Sequence, residues 1–94
     1  MKKLAFNELA RQWKEDTQFL SNVGAIIDHP AYEHIINLGE EMVPYIIQDM
    51  LENGPNHWFN ALSRITGANP ITKDIVGNLD KMADAWITWY NNRL

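Results

Sequence analysis

The chain predicts an all-α fold, a small bundle of about five helices forming one domain over residues 1–94, and three observations predict it. Apolar residues recur at three- and four-residue spacing in every long segment, the period of a helix that buries one side. No segment alternates convincingly with the two-residue period of a strand. Glycine, proline and asparagine fall where such helices would start and stop.

The first helix is predicted over Phe6–Thr17. Phe6, Leu9, Ala10 and Trp13 share a stripe, and Glu8, Arg11, Gln12, Lys14 and Glu15 cover the rest. Ser21–Asp28, with Asn22 and Gly24, reads as a connection that buries Val23, Ile26 and Ile27. His29-Pro30 opens the second helix, because proline has no N–H to waste at the first helical position. Ala31, Tyr32, Ile35, Ile36 and Leu38 share its inner face, and Gly39 suits a left-handed cap.

The third helix is predicted over Glu40–Glu52. Pro44 falls in its first turn, where the amides lack intrahelical partners. Met42, Val43, Ile46, Ile47, Met50 and Leu51 spread over about 200° at the helical increment, so this helix is expected at the centre, touched on two sides. Glu40, Glu41, Asp49 and Glu52 read as a solvated acidic face. Asn53-Gly54-Pro55-Asn56 is a turn, with Asn56 the expected N-cap of a fourth helix over His57–Thr66. Trp58, Ala61, Leu62 and Ile65 face inward there, and Gly67 ends it. Ala68–Gly77 is the longest loop. Asn78 then caps the last helix, Leu79–Asn91, whose apolar arc holds Leu79, Met82, Ala83, Trp86, Ile87 and Tyr90, with Trp89 at its edge.

Bulk composition bounds the function classes. At 46% hydrophobic and 21% charged the chain is ordinary for a folded domain, and four Trp, three Phe and three Tyr supply a large buriable area. Cysteine is absent, which excludes thiolate zinc motifs and fits a reducing cytoplasm. Lys2-Lys3 is not followed by the apolar core of a signal peptide, and no apolar run approaches a membrane span. The net charge is −4 with scattered cations, so the basic stripe of a nucleic-acid binder is missing.

From Ala31 to Gly67 the sequence resembles about one and a half HEAT repeats. Leu38-Gly39, Val43-Pro44, Ile46-Ile47 and Leu51 are similar to the first helix of a short unit. Ala61-Leu62, Ile65 and Gly67 are similar to the second, where alanine allows close approach; Ala31–Leu38 stands for the end of a preceding unit. His57-Trp58 occupies the place where that family often has an arginine. The runs His29-Pro30-Ala31-Tyr32, His57-Trp58-Phe59 and Ile65-Thr66-Gly67 also resemble short bacterial proteins without assigned activity. The HEAT resemblance implies a central antiparallel helix pair and a scaffold or protein-binding role.

No constellation carries chemistry. His29 and His34 are five residues apart, whereas ligands on one helical face need three or four. Ser21 and Ser63 lack a nucleophile setting, and single glycines make no phosphate loop. No metal and no cofactor is expected, and no enzymatic activity. The expected function is a protein-interaction module, an adaptor, inhibitor or accessory subunit whose acidity suits a partner with a basic surface. A small enzyme or enzyme subunit combining histidines with carboxylates is the alternative, ahead of a helical nucleic-acid binder. The candidate partner-binding residues are His57, Phe59 and Trp89, edge aromatics of the later helices with a histidine beside them.

Overall fold

The computed structural model describes residues 2–93. Those residues form α1 (Lys2–Thr17), α2 (Val23–Ile27), α3 (Pro30–Leu38), a 3₁₀ turn (Gly39–Met42), α4 (Val43–Asn53), α5 (Phe59–Thr66) and α6 (Leu79–Arg93), with no strand among them. The radius of gyration, 12.6 Å, is close to the ~12 Å expected of a folded chain this long. Among the described residues no helix is long and apolar enough to cross a membrane.

Capping chemistry sets most boundaries. The His29 ring accepts from the Ala31 amide at 3.0 Å and Pro30 fills the first turn, so α3 starts where its sequence says. Asn78 accepts from Lys81 N at 3.1 Å to open α6. Gly67, left-handed at φ 74°, returns its N–H to Ser63 O and ends α5. Leu62 O accepts the Thr66 hydroxyl, which tightens that last turn further.

Several boundaries depart from the sequence reading. The first helix includes Lys2–Ala5, ahead of the Phe6 expected to open it: Lys, Leu and Ala are good helix formers, but no described residue before Phe6 is buried, so no stripe marks the extra turn. The Ser21–Asp28 connection contains the single turn α2, opened by the Asn22 side chain on Ala25 N. Val23 there is exposed, while Ile26 is buried and Ile27 half-buried. The segment read as one helix from Glu40 divides, with a 3₁₀ turn ahead of α4 at Val43. Asn56 is not an N-cap. It sits at φ 47° inside the turn, and α5 begins only at Phe59.

The core is one cluster, with Trp13, Tyr32, Ile35, Ile46, Trp58, Leu62 and Trp86 among its fully enclosed members. Four rings form its centre. Trp13 lies 4.5 Å from Trp58 and 4.9 Å from Tyr32, and Phe6 lies 5.6 Å from Trp58, all centroid distances favourable for aromatic pairs. Principal contacts run from α1 to α3, from α3 to α5 and from α4 to α6 and α5. Tyr45 of α4, which falls outside the apolar arc read from the sequence, is half-buried, with its ring stacked on Phe6 of α1 at 5.8 Å. Leu38 and Leu51, expected inside, are exposed at the outer edges of their helices.

Candidate functional site

The face bearing His57 and Phe59 is held by two buried polar anchors. Asp49 was expected on a solvated acidic face; it is 8% exposed and collects every donor near it. Its carboxylate accepts from Lys14 Nζ at 2.6 and 2.8 Å, from Asn53 Nδ2 at 2.9 Å and from the Trp58 indole N–H at 2.7 Å. One residue of α4 thereby ties α1 to the turn before α5. A carboxylate so enclosed is tolerable only because a cation and two N–H donors replace its hydration.

The second anchor is Tyr32 of α3. Its hydroxyl donates to His57 O at 2.9 Å and accepts from Ala61 N at 2.8 Å. Trp58 occupies the capping position of α5 and offers no side-chain cap. Ala61 is then the third helical residue, whose amide an N-cap oxygen ordinarily satisfies. Tyr32 supplies that oxygen from another helix. Burial raises the Tyr32 phenol to about 12, with the Ala61 amide pulling the other way.

On this support rests an apolar hollow of about 240 Å³, lined by Val23 and Ile27 of α2, His57, Phe59 and Asn60 at the entry to α5, and Gly77, Leu79 and Met82 at the entry to α6. His57 also lines a neighbouring hollow with Lys14, Leu20 and Ile26, so it stands between the two. Several large apolar side chains of the adjoining segments are exposed. Phe19 is 93% exposed, Val23 50%, Leu20 45% and Leu79 39%.

Of the three candidate residues, His57 and Phe59 share this hollow. Trp89 does not line it. Its ring meets Trp86 edge-on at 5.3 Å, Arg93 stacks 4.7 Å above it, and it borders a separate, wider hollow of about 570 Å³ with Pro70, Ile75, Lys81 and Asp84. Val23, Ile27, Leu79 and Met82 are hollow residues that the sequence reading assigned to the core, not to a partner-binding face. A different signal marks all of them but Met82: the two longest runs without Asp, Glu, Lys or Arg are 17–27 and 53–63, and both contribute to this face. The uncharged stretch 75–79 adds the third wall.

The histidines do not converge. His29 lies on the α1 side, with Nδ1 capping α3 and Nε2 2.8 Å from Asp16, so both ring nitrogens are committed to structure. His34 is exposed on α3, and no carboxylate lines either hollow that His57 borders. Among the described residues no group of three or more His, Cys, Asp or Glu is arranged to hold a metal ion. No protein-family model, curated protein or solved structure matches the chain.

Proposed function

We propose that the chain is a non-enzymatic protein-interaction module, working through the face where α2 meets the starts of α5 and α6. The observation that carries this reading is the coincidence of an apolar hollow, with no charged residue in its lining, and large exposed apolar side chains on the segments that form it. Depletion of charge at the centre and aromatic content are what distinguish the middle of an interface from ordinary surface. His57 and Phe59 are the anchors, held in place by Tyr32 and by the Trp58–Asp49 bond, so little ordering entropy is lost when a partner docks.

The rest of the surface supports the same reading. Arg11, Arg64 and Arg93 are each paired with a carboxylate, while Asp28, Asp80 and Asp84 lie exposed. An acidic margin of that kind suits basic residues on a partner and speeds encounter more than it adds affinity. The α4–α5 pair is read as HEAT-like; the complete burial of Ala61, where a small residue permits close approach, supports this. A cytoplasmic setting belongs to the same proposal.

Capture from an extract of the native host tests the reading, with Val23→Asp as the probe because Val23 is half exposed and its loss should spare the fold. The wild type is expected to retain a defined protein that Val23→Asp releases, at an unchanged melting temperature. Identical retention by both would refute the proposed face.

A further inference from the structure

Resting on the reading of this face as a docking surface, we infer that one occupant is a second copy of the same chain, paired across a two-fold axis so that Phe19 of each copy enters the apolar hollow of the other.

Three observations lead there. Phe19 is the most exposed large apolar side chain described, at 93%, although most of the other aromatic rings of this chain are enclosed or partly enclosed. It stands in the short connection between α1 and α2, four residues before Val23, which is itself a wall of the hollow. Its neighbours Gln18 and Leu20 line the adjoining hollow that shares His57 with this one, so a protruding ring and a recess able to take one lie close together on the surface. An apolar cavity of about 150 Å³ is enough to hold benzene, so a hollow of about 240 Å³ has room for a phenyl group.

Symmetry makes that adjacency meaningful. In a two-fold contact each surface patch meets its own copy, so a protrusion and a recess side by side are both filled at once. The closed pair leaves neither exposed, whereas a ring and recess on opposite faces would build an open chain.

Charge decides between a copy and an unrelated partner. The molecule carries a net −4, and two like-charged copies repel unless the contact avoids their charges. The centre of this contact does so, because no residue lining the hollow is Asp, Glu, Lys or Arg, and Asp28 and Asp80 stay exposed at its rim, where salt screens them. A partner chosen by basic groups would find no carboxylate among the hollow's lining residues to pair with. The same apolar, uncharged patch on another copy matches it.

The test is mass in solution, by sedimentation velocity from micromolar to millimolar protein, with Phe19→Ala and Val23→Asp alongside and circular dichroism as the folding control. The wild type should pass from 10.9 kDa to twice that mass as concentration rises. Phe19→Ala removes two anchors, one from each copy, and should weaken pairing about thirtyfold for each, about a thousandfold in all, at an unchanged melting temperature. A photo-crosslinking phenylalanine analogue at position 19 should join Leu79 or Met82 of the other copy. A wild type that stays at monomer mass overturns the pairing, and the docking reading then stands or falls on the Val23→Asp capture result. A dimer indifferent to Phe19→Ala, or masses running past the dimer, would also overturn it.

Discussion

Replacing Asp49 by alanine tests whether the buried carboxylate holds the fold together. Asp49→Ala leaves the Trp58 indole N–H, in a wholly enclosed side chain, without an acceptor 2.7 Å away. An orphaned buried donor costs about 1–3 kcal/mol. Asn53 escapes to solvent at little cost, because it is exposed. Lys14, with 30% of its side chain exposed, loses a partner it holds through both carboxylate oxygens, and partial rehydration limits that loss to about 1 kcal/mol. With the small cavity left behind, the sum is about 3–4 kcal/mol, a large part of the 5–15 kcal/mol total typical of a domain. Urea titration followed by far-UV circular dichroism should show that drop, and the melting temperature should fall by more than about 10 °C. The double variant Lys14→Met with Asp49→Ala should lose at least 1 kcal/mol less than the two single losses added, since residues in contact are not additive. A loss below about 1 kcal/mol for Asp49→Ala, or strict additivity, would refute the reasoning.

Tyr32 gives a pH prediction: its folded phenol, about 12, lies above the usual 10, so the stability it adds is complete below pH 10 and fades as pH rises towards 12. Stability measured across that window should fall by about 2–3 kcal/mol, and Tyr32→Phe should lack that part of the slope. His29→Ala removes the α3 cap and should cost about 1 kcal/mol by chemical denaturation, whereas His34→Ala, on an exposed site, should be neutral. Trp86→Ala should cost about 3–5 kcal/mol and Trp89→Ala distinctly less, because the first ring is enclosed and the second half-buried. Trp86→Phe should cost less than its lost volume suggests, since the indole N–H it removes is buried without an acceptor.

Helix existence was legible because its signals are local. His29-Pro30, Gly67 and Asn78 act on amides a few residues away and do at those places what their chemistry implies, whereas Gly39 has a positive φ of 84° but a ψ of −156°, not the left-handed cap expected of it. The stripe Phe6, Ala10, Trp13 and the central Trp58 and Trp86 are likewise buried as their spacing implies. Asp49 was not legible. Its polarity and its place at the edge of an apolar arc match a solvated position, and only Lys14, 35 residues earlier, makes burial possible. The start of α5 was misread for a related reason: its cap comes from Tyr32, 29 residues before Ala61, so no residue beside the helix announces it. The candidate face was half legible. Phe59 stands out because it lies about 100° from Trp58 on a helical wheel. Val23, Leu79 and Met82 join it only when α2 and α6 are brought together, and the period that places Leu79 and Met82 on an apolar arc does not say that they border a surface hollow.

The four tryptophans are divided two and two along the chain's architecture. Trp13 and Trp58 are in contact at the junction of α1, α3 and the turn before α5, whereas Trp86 and Trp89 form their own pair on α6. Each pair is close enough for its indole transitions to couple, so near-ultraviolet dichroism carries one signature from each region. Phenylalanine at Trp13 leaves emission weighted towards α6, and phenylalanine at Trp89 weights it towards the aromatic junction. The molecule is thus its own two-channel optical probe, able to report whether α6 lets go of α4 before the rest of the helices come apart.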